Sequence, residues 1–287
     1  MKKWVLEPID DFMFISMRIA EKAGIWEPFR NLFYQGEGAF YDMLFKQLFK
    51  YDLSGCEYLE AYNDKAVVYA CNHQSLLDPI VSGLSVYKGS GGRQPYQLAK
   101  VELFTSPLFN MFSRVNRGVP VRRGESDEIA LEKVIEFLNE GHQIVFYPEG
   151  TLNPGNGKFL KPHTGIARIV FATKVDVIPM AIYGTDKIYG KNAKMPNLKA
   201  KLAVKFGRPL AFEKLFSNSI RTSSNVDSEE MYKAYKKATL KIFSQIQSLW
   251  LDLHETFGSD SKEKVEKESR VSGESSNEQS LNQEVAD

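Results

Sequence analysis

From residue 66 onward the chain alternates short apolar, β-prone runs with longer helical stretches, and that alternation leaves few folds open. Strands are expected near 66–70, 96–99, 117–121, 143–147, 177–183 and 199–206, with helices after Pro79, Val101, Ser126 and Thr164. Ser126 suits an N-cap, Asp127 and Glu128 fill the first turn behind it, and Gly141 stops that helix. Strand and helix in this order predict an α/β fold, a single layered domain with a largely parallel central sheet flanked by helices. In such sheets ligands gather beyond the carboxyl ends of the strands. His73, Arg123 and Glu149 each follow an expected strand directly, which puts them on one edge.

The stretch Ala70-Cys71-Asn72-His73-Gln74-Ser75-Leu76-Leu77-Asp78-Pro79 lies where a strand gives way to a helix. Pro79 fits the first helical position and Asp78 the N-cap before it. His73 then falls on the connecting loop. Two helical residues five apart would point about 140° away from each other, whereas a loop histidine can fold back onto a helix-start aspartate. There the helix dipole favours the carboxylate, which can accept the proton of one imidazole nitrogen and leave the other basic. Such a pair can take a proton from a hydroxyl. Read alone, the same residues also make a plain helix cap, with Ser75 to Asp78 as a capping box.

Arg122 and Arg123 close a basic cluster with Arg114 and Arg117. Arginine grips phosphate through paired donors, and alternation along Val119, Val121 and Arg123 places Arg123 on the valines' side. Taken alone, the cluster is equally a solvated face. Glu149, between Pro148 and Gly150, reads by itself as a turn carboxylate. Leu152 to Gly157 is a flexible loop by composition, in position for a lid.

Other chemistries fit poorly. His73, His142, His163 and His254 show no ligand spacing with either cysteine, so no metal is expected. The G-x-S-x-G elbow and the G-x-x-x-x-G-K-[ST] phosphate loop are absent, and Gly89-Ser90-Gly91-Gly92 lacks the dinucleotide fingerprint. A covalent route through Cys71 or Ser75 is disfavoured, because Cys71 ends an apolar strand and Ser75 suits a cap.

With 287 residues, 43% of them hydrophobic, the chain can bury one substantial core and an appendage. Net charge is +1, but residues 259–287 carry −4, which leaves +5 for the rest. That mild basic bias suits an anionic lipid surface and is too weak for nucleic acid. Two cysteines imply no disulfide framework. Lys2 and Lys3 are not followed by an unbroken apolar core, so no secretory leader is expected. The apolar run Phe12 to Ala20 is broken by Arg18 and is too short to span a bilayer. Phe40, Leu44 and Leu48 form one helical stripe with Tyr41, Phe45 and Phe49 beside it, an amphipathic pattern that fits core packing or membrane docking. Met231, Tyr235, Ala238, Ile242, Ile246, Leu249 and Leu253 mark a long amphipathic helix, and after Gly258 the polar composition predicts disorder. The organisation expected is a membrane-docking helical region over 1–55, a main domain over 56–257 and a tail over 258–287.

Four blocks in order resemble those of the glycerolipid acyltransferase family, which includes bacterial lysophosphatidate acyltransferases and tafazzin. Asn72 to Pro79 is similar to its H-x-x-x-x-D block, Gly118 to Arg123 to the second, Phe146 to Thr151 to the third and Val177 to Ala181 to the fourth, with Ala99 to Leu103 like the segment after the first. Two departures are Leu152, where Arg or Ser often follows Glu-Gly-Thr, and Pro120, where an aromatic is common. The resemblance implies catalytic His73 and Asp78, and substrate contacts from Lys100, Arg123, Glu149, Gly150, Thr151 and Pro179, with Arg123 on the acceptor's phosphate and Glu149 on its glycerol moiety. It implies transfer of a fatty acyl group from acyl-CoA or acyl-carrier protein to a lysophospholipid, first of all 1-acyl-sn-glycerol 3-phosphate, on the cytoplasmic side of a membrane. No cofactor is then needed beyond the thioester co-substrate, and the partners are membrane lipids and no nucleic acid. Backbone amides near the helix start are candidates for holding the oxyanion. A tafazzin-like transacylase is the nearest alternative, and a non-catalytic peripheral lipid-binding protein is the alternative from another class.

Overall fold

The computed structural model describes residues 19–20, 22–121, 127–190, 193–217, 220 and 228–283, with side chains as far as Gly258. A helix, α1 (Trp26–Phe49), leads into β1 (Asp52–Ser54) and, after two short 3₁₀ turns, β2 (Val67–Cys71). Then come α2 (Asp78–Gly89), β3 (Tyr96–Lys100), α3 (Pro107–Val115), β4 (Gly118–Val121), α4 (Asp127–Asn139) and β5 (Gln143–Phe146). The chain continues through α5 (Gly165–Thr173), β6 (Val177–Tyr183), α6 (Thr185–Ile188), β7 (Ala203–Phe206), α7 (Phe212–Leu215) and α8 (Ser228–Gln283).

The seven strands lie in the order β1-β7-β6-β2-β5-β3-β4, and only β6 and β7 pair antiparallel. The two central strands are buried along their whole length, as a sheet covered on both faces requires. Within β2, Val67, Tyr69 and Cys71 face a core shared with α1 and α2, while Val68 and Ala70 face one shared with α4, α5 and α8. Fully burying side chains of this size contributes about 1.5–3 kcal/mol each, so β2 is anchored from both sides.

All six expected strands are present, with ends shifted by a residue or two except that β7 starts only at Ala203. β1 went unseen because three residues carry no period. It pairs with β7, and Phe45 and Phe49 enter the core beside it, so the chain is continuous in structure across residue 55. Of the two stripes on α1, Tyr41, Phe45 and Phe49 pack inward while Phe40 and Leu48 stay exposed. The apolar run 12–20 lies almost wholly outside the described residues, as does Ser126. The backbone of α8 stays helical to Gln283, through the segment expected to be disordered. Lys, Glu and Gln are good helix formers, and a composition that cannot build a core does not prevent local helix.

Gly184 makes the turn from β6 into α6 with φ +94, and a Cβ there would lie 1.9 Å from the Lys201 carbonyl oxygen. Gly184→Ala is expected to cost about 2 kcal/mol or more, read as a lowered urea midpoint. An unchanged midpoint would mean that the turn relaxes freely.

Candidate active site

The site is built on the loops that leave β2, β5 and β6 at their carboxyl ends. The side chain of Asn72 prolongs the β2–β6 ladder, since its Nδ2 donates to the Ile182 carbonyl at 2.9 Å and its Oδ1 accepts from the Ile182 N–H at 2.8 Å. That double bond fixes where His73 leaves the sheet.

Asp78 is fully buried and is the first residue of α2, with Leu77 rather than Asp78 in the N-cap position. Its carboxylate turns back over the loop instead of capping its own helix. Oδ2 lies 2.9 Å from His73 Nδ1 and accepts from the N–H groups of Gln74 at 2.6 Å and Ser75 at 2.7 Å. Oδ1 accepts from the Thr185 hydroxyl at 2.6 Å. An ionised carboxylate only accepts, so Nδ1 carries the ring hydrogen and Nε2 is left to take a proton. The capping box expected over Ser75 to Asp78 is not formed, because the Ser75 hydroxyl donates to the Tyr189 carbonyl at 2.6 Å and the Asp78 N–H meets the Ser75 carbonyl instead.

The His73 ring is 18% exposed and stacks on Tyr147, with centroids 4.3 Å apart and planes at 25°. The Tyr147 hydroxyl lies 2.9 Å from Ser82 Oγ and donates to Gln97 Oε1 at 3.3 Å, which ties the ring to α2 and β3. Burial holds the Tyr147 hydroxyl and the Cys71 thiol far above their usual titration ranges, and Asp78 adds to both effects. A buried thiol held protonated is a poor nucleophile.

Glu149 is buried as well, and its oxygens face the chain. Oε1 accepts from the His73 N–H at 3.1 Å and Asn153 Nδ2 at 2.9 Å, and Oε2 accepts from the Leu160 N–H at 2.7 Å. Burial raises its pKa above the ordinary carboxylate value, opposed by those three bonds and by the charge of His73. Glu149 therefore ties its own loop together and joins it to the loop after β2. The Asn153 N–H donates to the His73 carbonyl at 2.6 Å, so the segment expected as a lid is pinned into the site wall. Gly150, at φ +66, closes the tight turn whose N–H meets the Tyr147 carbonyl, with exposed Thr151 after it.

Lys100 ends β3 as an exposed residue, and Pro179 lies inside β6 in register with Ala70, three residues short of His73. Arg123 and Arg122 lie outside the described residues. Of the described members of the basic cluster, Arg117 precedes β4 at the amino edge of the sheet and Arg114 belongs to α3. The amides considered for an oxyanion are spent: those of Gln74 and Ser75 on Asp78, and those of Ile80 and Val81 on the Leu77 carbonyl. Sequence reasoning missed Thr185, Tyr147, Asn72 and Asn153. Asn72 and Tyr147 flank recognised motifs, but Thr185 is 107 residues from Asp78, with only Gly184 before it as a signal.

A histidine beside a buried carboxylate, at the carboxyl edge of a parallel sheet, has the geometry that a general base requires. Residues 50–183 match the Acyltransferase family model. Over 144 residues it is 32% identical to a chloroplastic 1-acyl-sn-glycerol-3-phosphate acyltransferase of Brassica napus, covering 49% of this chain and 39% of that protein. It is 28% identical over 156 residues to a 1-acyl-sn-glycerol-3-phosphate acyltransferase of Cocos nucifera, covering 52% of this chain and 47% of that one. The chain thus spans less than half the length of these plant relatives. The fold is similar to that of the 1-acyl-sn-glycerophosphate acyltransferase PlsC from Thermotoga maritima, with a TM-score of 0.55 and 24% identity, over 83% of this chain and 88% of that one.

Thr185→Val keeps the shape but leaves one oxygen of the buried Asp78 without its donor, a loss of about 1–3 kcal/mol. A lower denaturation midpoint and a reduced kcat are expected, and Thr185→Ser should recover most of both. If Thr185→Val transfers acyl groups at the wild-type rate, the hydroxyl does not support the pair.

Proposed function

We propose that the protein is an O-acyltransferase that esterifies the free hydroxyl of 1-acyl-sn-glycerol 3-phosphate with a fatty acyl group from acyl-CoA or acyl-carrier protein, giving phosphatidic acid. The observation that carries this is the His73–Asp78 pair, which has one ring nitrogen held and the other left to act. The family of residues 50–183 and the names of the plant relatives support the reaction and the acceptor.

In this reading His73 Nε2 removes the acceptor's hydroxyl proton as the oxygen attacks the thioester carbonyl. The tetrahedral adduct collapses, the C–S bond breaks, and the thiolate takes the proton back from the imidazolium. Asp78 fixes the tautomer and stabilises that cation. Arg123 holds the acceptor's phosphate, and Lys100, Gly150 and Thr151 border the path to it.

The lipid is reached from a bilayer surface. Among the described residues no helix is long and apolar enough to cross a membrane. Phe29, Leu32, Phe33, Phe40 and Met43 recur at helical spacing on α1 and are exposed, as are Leu108 and Phe109 on the adjoining α3. Interfacial helices bury such faces at the headgroup boundary, and we place this face on the cytoplasmic leaflet.

His73→Ala should lower transfer to lysophosphatidate by about 10² to 10⁴ with the fold intact, measured as thiol release that depends on acceptor. Near-normal transfer by the folded variant would end this mechanism, and acyl exchange without a thioester would favour the transacylase. Arg123→Ala should raise the acceptor KM about 10- to 150-fold and leave the donor KM nearly unchanged. An equal loss on an acceptor lacking phosphate would make Arg123 structural. Because Phe45 and Phe49 belong to the core, docking is best probed by substitution: Phe29→Ser with Leu32→Ser and Phe33→Ser should weaken vesicle co-sedimentation without lowering Tm. Unchanged sedimentation would remove the membrane from this face.

A further inference from the structure

The sheet has a second pocket at its other end. Gln94, Arg117 and His142 lie one or two residues before β3, β4 and β5, which run parallel, so all three lie at the amino edge, opposite His73. With Asn31 and Tyr34 of α1 and Tyr87 of α2 they line a cavity of about 340 Å³.

Several acceptors around this cavity are already used. Gln94 Oε1 and Asn31 Oδ1 both accept from Arg30, and Gln143 Oε1 accepts from Tyr69. The carboxylate of Glu27 is engaged by Arg30 at 2.5 Å, and that of Glu37 by Asn116. Arg93 is spent on the carbonyls of Asn63, Lys65 and Gly141. Arg117 differs from these. Among the described residues no protein atom accepts from its buried Nε, and its nearest carboxylate oxygen, on Glu27, is 3.9 Å away. Its guanidinium lies 4.7 Å over the Tyr96 ring and its side chain is 21% exposed. Arg117 also holds φ +51, a conformation that costs a non-glycine residue of order 1 kcal/mol or more. Burial, with smaller contributions from Arg30 and Arg93, depresses its pKa, opposed by Tyr96 and Glu27.

A strained backbone that holds a guanidinium in a pocket with its buried Nε unsatisfied and its one carboxylate contact long is arranged to receive an anion. We propose that the amino-edge pocket binds a phosphate group through Arg117, separately from the catalytic edge. The planar guanidinium fork matches phosphate oxygens. Tyr34, Tyr87 and Asn31 line the same cavity and carry groups that can donate. The phosphate belongs either to a soluble molecule or to a lipid headgroup, since Phe29, Leu32 and Phe33 are exposed one helix face away from Asn31.

The test uses the full chain carrying Arg123→Ala, so that the catalytic edge adds no phosphate binding of its own. Inorganic phosphate should raise its Tm, because a ligand of the native state stabilises it. Adding Arg117→Gln should weaken that response about tenfold or more in phosphate concentration. Asn31→Asp retains an acceptor for Arg30 and adds a negative charge on an exposed turn, so it should weaken the response even if Arg117→Gln folds poorly. The second arm is co-sedimentation with phosphatidylcholine vesicles containing phosphatidic acid. Loss in the soluble arm alone assigns a free phosphate compound, and loss in the vesicle arm assigns the headgroup. If neither Arg117→Gln nor Asn31→Asp changes either arm, there is no site.

Discussion

A carboxylate without access to water must be given donors by the protein, and the Asp78 carboxylate is the point around which this molecule is organised. Removing a charge of this kind from water costs several kcal/mol even after relaxation, and four donors offset that cost here. Three come from the loop of residues 73–75 and the fourth from Thr185, beyond β6. The charge can be buried only once β2 and β6 are paired and Gly184 has turned the chain back. Catalytic geometry and native topology are thus one requirement.

Glu149 repeats the device a few residues away. Its oxygens accept from the backbone of His73 and Leu160 and from Asn153, so the loops after β2 and β5 are fastened together beneath the imidazole. With Tyr147 stacked on the ring, the histidine is held on its acid side, at its backbone and across one face. Positioning to this degree lets a side chain act as a base without reorganising at the moment of reaction.

The same sheet gives its two ends different tasks. At the carboxyl edge the described polar groups around Asp78 and Glu149 satisfy one another and leave the His73 Nε2 free of the buried carboxylate. At the amino edge the balance is reversed, and Arg117 keeps a buried Nε without an acceptor. The helix α1 joins the two regions, since it gives Phe45 and Phe49 to the core, Asn31 and Tyr34 to the amino-edge pocket, and Phe29, Leu32 and Phe33 to the exterior.

The order of secondary structure and the partners His73 and Asp78 could be read from the chain because both depend on local pattern: apolar runs of strand length, a proline at a helix start, and a loop histidine five residues before. The reading misplaced what depends on direction. Glu149 reads as a turn carboxylate or a substrate contact, but its oxygens accept from three protein donors, one from the loop after β2 and two from farther along its own loop. Arg114, Arg117, Arg122 and Arg123 form a cluster in sequence, yet β4 runs about 3.3 Å per residue and carries Arg117 to the opposite edge from its carboxyl end. Thr185 left no trace, because nothing local links it to Asp78. Sequence by itself determined which segments become strands and helices and that a loop histidine meets a helix-start aspartate, since these follow from short-range periodicity and residue type. Only the tertiary structure decided which donors meet the buried carboxylates and which guanidinium nitrogen is left without an acceptor, because contacts between residues far apart in the chain, such as Thr185 with Asp78, exist only once the sheet has ordered its strands.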